Sequence, residues 1–173
     1  MLSLYDYPEV PDIEEDGATF LENALKKARV VSEYTGETVL ADDSGLEVDA
    51  LDGRPGVHSA RYAGPDATDD ANNERLLSEL DGVPQEKRTA AFRCVLVLYH
   101  RDGTYRYFDG RLEGTIGFES RGSEGFGYDP VFIVPAHGLT VAELGPGIKN
   151  TISHRARALT KLKNSLQKKD GIR

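Results

Sequence analysis

One cysteine stands in 173 residues. A single thiol cannot close an internal disulfide, so no disulfide framework holds this fold and a reducing cytoplasm is the expected setting. Cys94 lies inside the apolar run AFRCVLVLY, where a small core residue is expected and not a nucleophile. Positive charge is also in short supply: 21 Lys and Arg face 29 Asp and Glu, for a net charge of −8. That balance excludes broad binding to a nucleic-acid backbone, which needs a basic surface. A small phosphorylated ligand stays open, because a few cations or a divalent metal in one cleft can override the global sign. No apolar run approaches the length of a membrane span. The opening MLSLYDYPEV has neither the basic start nor the long apolar core of a signal peptide. Nothing matches a Walker A loop, a serine-hydrolase elbow or a zincin motif. His58, His100 and His137 have no ligand-like spacing to one another or to the cysteine, which argues against zinc.

What is present fits one globular domain with a sizeable core, at 39% hydrophobic and 29% charged residues. Residues 4–10 read as a short strand closed by Pro8 and Pro11. Residues 19–36 read as a helix: Thr19 and Glu22 make a capping box, Leu21, Ala24, Leu25, Ala28 and Val31 share a face, and Gly36 ends it. ETVLADD is the next strand, with SGLEVDAL as an extended continuation, and DGRPGVHSARYAG is a loop. Residues 67–82 form a second helix capped by Thr68. TAAFRCVLVLYH and TYRYFDGRLEGTIG make an antiparallel hairpin through the turn RDG. GSEGFGYDP is a glycine-rich loop before the strand VFIVP, and residues 136–152 read mostly as loop with room for one short turn of helix. A final helix starts near Ser153 with Ala156, Leu159, Leu162 and Leu166 as its apolar stripe, and QKKDGIR is a basic, frayed tail. Helix–strand alternation followed by a hairpin implies an α/β domain with a mixed sheet.

Four polar clusters carry candidate chemistry. They are EEDG before the first helix, Asp42–Asp43–Ser44 at the end of a strand, GFGYD over 125–129, and Lys149 with Ser153–His154–Arg155. Each has an ordinary alternative. EEDG can be a solvated acidic turn favoured by the helix dipole, Asp-Asp-Ser-Gly a plain turn, and GFGYD a loop around a packed aromatic. GFGYD has two glycines and opens no helix, so it is no dinucleotide fingerprint. Taken together the clusters have a logic. Carboxylates with water suit Mg²⁺, lysine and arginine beside a helix start favour an anionic or carbonyl-bearing ligand, and an aromatic in a glycine loop can stack on a base. Metal, anion and base recognition point to a nucleotide.

ETVLADDSGLEVDALDGRPGVHSARYAG, GFGYDPVF and K-N-x-x-SHRARAL, in that order, closely resemble the inosine/xanthosine triphosphate pyrophosphatase family, from about Tyr5 to the last helix. The resemblance implies an elongated mixed sheet flanked by helices, in two lobes with a central cleft. It implies hydrolysis of deaminated purine nucleoside triphosphates (ITP, dITP, XTP) to the monophosphate and pyrophosphate, Mg²⁺ as cofactor, and a homodimer. On the matching positions, Glu15 and Asp43 correspond to metal-binding carboxylates, Asp43 also to the proton acceptor, and Asp42 to a supporting carboxylate. Ser44, Phe126, Gly127, Tyr128, Asp129, Lys149, His154 and Arg155 correspond to substrate-binding residues.

The sequence departs from the family in one place. A Thr/Ser-x-Asn-x-x-Lys loop after an opening strand is absent, a shortfall of about two dozen residues by the length of a strand plus a helix. The expected consequences are an exposed strand edge and weaker grip on the triphosphate. Two other readings therefore stand beside the enzyme. One is a catalytically impaired member that keeps the fold and weak nucleotide binding; the other is an acidic α/β binding domain whose four clusters are ordinary turns.

Overall fold

The computed structural model describes residues 3–7 and 9–170. Helix α1 spans Phe20–Thr35. Thr19 Oγ1 accepts from Glu22 N at 3.2 Å, and Glu22 Oε2 reaches back to Ala18 N at 2.7 Å, one residue before the cap itself. Gly36 closes the helix at φ +71°, a left-handed conformation that favours glycine. Strand β1 then runs Val39–Val48, and helix α2 runs Asp69–Glu79 with Thr68 Oγ1 accepting from Ala71 N. Strands β2 (Thr89–Tyr99) and β3 (Tyr105–Ile116) form the long hairpin. Short strands β4 (Phe132–Val134) and β5 (Leu139–Thr140) and helices α3 (Pro146–Ile152) and α4 (His154–Asp170) complete the chain.

The sheet has five strands in the order β1-β2-β3-β4-β5. The α/β class and the elongated sheet are as expected. Every ladder among the described residues is antiparallel, where helix–strand alternation had implied a mixed sheet. The reason is connectivity: α2 lies between β1 and β2 in the chain, yet those two strands pair antiparallel, so it is no parallel crossover.

Side chains alternate across a strand, and this divides the core. On one face Val39 and Ala41 of β1 join Val95 and Val97 of β2 against Phe20, Ala24 and Ala28 of α1. On the other, Cys94 and Leu96 pack against Ala158 and Leu162 of α4. Further along this second face, Leu46, Val48, Phe92, Leu112 and Phe132 form the largest cluster with Leu76 and Leu80 of α2. Cys94 is wholly buried, as its apolar surroundings predict. Two apolar bodies thus share one face, and the cleft described below lies between them.

Two glycines set how closely these layers approach. A Cβ on Gly110 of β3 would sit 1.9 Å from the carbonyl oxygen of His154, so the start of α4 rests directly on the strand backbone. A Cβ on Gly45 would meet Gly56 O and Ser59 Oγ at 2.5 Å. Among the described residues β1 is an edge strand of the sheet. Its second half is tied by Leu46 N to Ser59 Oγ at 2.8 Å and by Val48 N to Arg54 O at 3.2 Å, while Leu40 stays exposed.

Four local expectations change. Leu4–Asp6 is a 3₁₀ turn and not a strand, and Pro8 lies outside the described residues. Residues 136–152 hold β5 and a two-turn helix, with Pro146 at the first helical position, where its missing N–H costs nothing. On α4 the buried line is His154, Ala158 and Leu162, while Leu159 and Leu166 are exposed. The contact at Gly110 turns the His154–Ala158 edge inward. α4 also continues through Asp170, so fraying does not start at Gln167; residues 171–173 lie outside the described set.

Candidate active site

Asp42 and Asp43 are not at a strand end. They are the fourth and fifth residues of the ten in β1, paired with Leu96 and Val95. Consecutive residues of a strand face opposite ways, so the two carboxylates lie on opposite faces of the sheet. Their mutual repulsion is thereby reduced, and each has its own cationic partner.

Asp43 faces α1 and is 7% exposed. Its Oδ1 accepts from Lys27 Nζ at 2.9 Å and its Oδ2 from Asn23 Nδ2 at 3.3 Å. Lys27 Nζ also donates to Glu15 Oε1 at 2.9 Å, so one ammonium joins the two carboxylates. The residues ahead of α1 are pinned to deliver Glu15. Asn23 Oδ1 accepts from Gly17 N at 2.8 Å, and Arg61 Nη2 donates to the Glu15 carbonyl at 2.8 Å. Burial pushes the Asp43 carboxyl above its ordinary value, with the Glu15 charge adding to that shift and the Lys27 ammonium opposing it. Burial pulls Lys27 down, but its bonds to Glu15 and Asp43 outweigh this and its net shift is upward.

Asp42 faces the other way and is half exposed. Its Oδ2 accepts from Arg155 Nε at 3.3 Å and from Ser44 Oγ at 3.2 Å. Ser44 lines a cleft of about 660 Å³, within the range that takes a small ligand. Phe126 lies at its mouth, 60% exposed, with Lys149 Nζ 4.5 Å and Arg155 Cζ 5.5 Å from the ring centroid. Lys149 Nζ is ion-paired with the buried Asp129, whose Oδ2 also accepts from Phe126 N at 3.0 Å. Ser153 ends α3 and caps α4, its Oγ accepting from Ala156 N at 3.2 Å. That cap places His154 at the cleft, stacked on Phe92 at 5.0 Å. Burial lowers the His154 pKa to about 4, helped by the Arg155 and Lys149 charges, so the ring is neutral at pH 7. Tyr128 is buried, with its hydroxyl donating to Ser59 O at 2.8 Å; burial holds its pKa well above normal. Gly127 takes φ +61° at the tip of this loop.

The expected residues thus gather into two groups. Ser44, Phe126, Gly127, Tyr128, Asp129, Lys149, His154 and Arg155 line the cleft. Glu15 and Asp43 meet on the opposite face of β1, outside the cleft's lining, although Asp43 is next to Ser44 in the chain. Among the described residues no three His, Cys, Asp or Glu side chains cluster as a metal cage. Two carboxylates converging on one cation do fit a hard divalent ion that keeps several waters. Sequence reasoning missed Asn23 and Lys27. The available signal was a polar residue, Asn23, inside the apolar face of α1, with Lys27 four residues on.

These features define an α/β protein whose long antiparallel sheet carries a nucleotide-sized cleft on one face and a carboxylate–lysine cluster on the other. Residues 1–165 match the Ham1 family model. The chain belongs to the Ham1 family. It is 58% identical over 165 residues to the dITP/XTP pyrophosphatase of Shouchella clausii, covering 95% of this chain and 83% of that protein. It is 58% identical over 166 residues to the dITP/XTP pyrophosphatase of Geobacter sulfurreducens, covering 96% and 83%. Among solved structures, the Staphylococcus aureus Ham1 protein superposes with a TM-score of 0.87 at 44% identity, over 91% of this chain and 81% of that one. A HAM1 protein from Coxiella burnetii gives 0.87 at 47% identity, over 92% and 82%. No helix among the described residues is long and apolar enough to cross a membrane.

Proposed function

We propose that this chain is a dITP/XTP pyrophosphatase, cleaving deaminated purine nucleoside triphosphates to the monophosphate and pyrophosphate. The names of its relatives support this reading. The observation that carries it is the convergence of Glu15 and Asp43 on one cationic point, one residue from Ser44 in the nucleotide-sized cleft. In this reading the base enters the cleft and stacks on Phe126. The phosphates pass Ser44 towards Asp43. Asp43 accepts a proton from water as the water oxygen bonds to the α-phosphorus. The bond from that phosphorus to the bridging oxygen breaks, and pyrophosphate leaves with the electron pair. Burial of Asp43 favours the protonated form, which suits a proton acceptor.

Glu15 and Asp43 would hold Mg²⁺, with Lys27 giving up part of its hold on them. Bound there, the ion would supply charge neutralisation for the phosphates and polarisation of water. Lys149, Arg155 and His154 surround the base. Donors facing the 6-keto oxygen are satisfied by hypoxanthine and xanthine, whereas an adenine amino group would set donor against donor. The same reading carries a homodimer, to be checked by light scattering, and action in the cytoplasm.

Pyrophosphate release from dITP and XTP with Mg²⁺, against dATP as control, tests the proposal. Selective release with loss on chelation is expected. Nucleotide binding without release would favour the impaired family member, and neither binding nor release would remove the reading.

A further inference from the structure

The loop that carries Phe126 is not fixed by its own residues alone. Gly127, at φ +61°, has both backbone polar groups taken by side chains of α2. Its N–H donates to Asp69 Oδ2 at 2.6 Å, and its carbonyl accepts from Asn73 Nδ2 at 2.9 Å. Asp69 and Asn73 are four residues apart, one helical turn, so both project from one side of α2. Asn73 is 3% exposed, and its Oδ1 has no partner among the described residues. A buried amide left half-satisfied is costly, and the one bond this side chain makes is to the loop. Asp69 itself lines the cleft. Neither residue belongs to the four clusters singled out from the sequence.

We propose that Asp69 and Asn73 are positioning residues for base recognition: they grip the Gly127 peptide groups from α2 and so hold Phe126 at the mouth of the cleft. The inference rests on the cleft being the base pocket. Gly125 and Gly127 both have positive φ, at +88° and +61°, so the loop backbone has unusual freedom and needs an outside anchor. From inside the loop Asp129 ties Phe126 alone, its carboxylate accepting from the Phe126 N–H and its own N–H donating to the Phe126 carbonyl at 3.3 Å. The α2 grip links the opposite wall of the cleft to the same segment. A loosened loop presents the stacking ring less often, which weakens binding of the base while leaving the carboxylate cluster beyond β1 intact.

Steady-state kinetics on the whole chain with dITP and dATP test this, using Asp69→Ala, Asp69→Asn, Asn73→Ala and Asp70→Ala. Asp69→Ala and Asn73→Ala should raise the KM for dITP about tenfold or more, with kcat within about threefold, as expected for losing a hydrogen bond to positioned backbone. Asp69→Asn should keep most of the wild-type KM, because its amide oxygen can still accept from Gly127 N–H. Asp70→Ala removes a similar charge from the first turn of α2 and should change nothing. An Asp69→Ala variant that melts like wild type with an unchanged KM overturns the grip. So does an Asp70→Ala variant that matches Asp69→Ala, since the helix-end charge would then be the cause. Should Asn73→Ala fail to fold, the Asp69→Ala and Asp69→Asn pair decides. A wild-type protein that does not prefer dITP over dATP overturns the reading of the cleft and the recognition role with it, whereas preferred turnover of dITP with unmoved KM values overturns the grip alone.

Discussion

Asp42 and Asp43 are neighbours in the chain and opposites in the molecule. Asp43 lies buried under α1 between an asparagine and a lysine that it shares with Glu15. Asp42 lies half exposed beside Ser44 and Arg155 at the cleft. The α1 face is built from a strand, a helix and one pinned segment, and at short range one ammonium is shared by two carboxylates. The cleft face is built from loops, glycines and the junction of two helices. Rigid elements suit a group that must meet a reacting atom within a fraction of an ångström, and loops suit recognition of a flat base. In the proposed function, one strand therefore separates the chemistry from the recognition by its two-residue period.

The largest test of that division is Asp43→Asn. The amide matches the carboxylate in shape but accepts no proton, so kcat should fall about a thousandfold, with KM for dITP moving far less. Rates near wild type would remove Asp43 from the reaction and erase the contrast. Gly110→Ala probes the other face. Its methyl group has no room beneath His154 O, so α4 must lift, at a cost of about 3 kcal/mol in a denaturant titration. Gly147→Ala, where a Cβ meets open space, is the control and should cost nothing measurable.

Acid should separate the two faces by sign. His154 binds its proton near pH 4 when folded and near 6.5 when unfolded, so the unfolded chain holds more protons between those values. Stability should fall as pH drops from 6.5 to 4 and then level, by about 3 kcal/mol at most from this group. The Asp43 carboxyl is shifted upward, so between its unfolded value and its folded one the native state holds more protons. Acidification through that window relieves the fold at Asp43 and burdens it at His154. Comparing wild type with His154→Gln across pH 4–6.5 isolates the histidine. A variant with the same slope as wild type would show that the ring is not held neutral by the fold.

Much of this was legible in the sequence because it is local. Thr19, Gly36 and Thr68 bound their helices as capping chemistry requires, and the RDG turn joins the long hairpin where expected. What was not legible depends on contacts between distant segments. In sequence the strand reads as ending at Asp43, with SGLEVDAL as an extended continuation, because Asp, Ser and Gly are ordinary turn residues; α1 and α4 supply the partners that make it one strand through to Val48. Of the stripe read on α4, Leu162 is buried but Leu159 and Leu166 are exposed, because Gly110, far away in the chain, decides which side of that helix meets the sheet. The cleft residues were found through their motifs. Lys27, Asn73 and Asp69 were not, since on a helix each reads as an ordinary polar residue until its partner across the molecule is known.

The smallest expected effect is at Asp42. Its ion pair with Arg155 is half exposed on both sides, and such pairs contribute roughly 0–1 kcal/mol. Asp42→Asn keeps an oxygen for Ser44 and loses only the charge that steadies Arg155 beside Phe126. KM for dITP should rise by a small factor and kcat should fall less than about tenfold, far short of the loss at Asp43. A loss as severe as that of Asp43→Asn would mean that both carboxylates serve the reacting phosphate. The sheet would then divide the two side chains in space without dividing their work. A small loss confined to KM would leave Asp42 as a support for the guanidinium, and the strand's alternation would be the device that assigns one aspartate to each task.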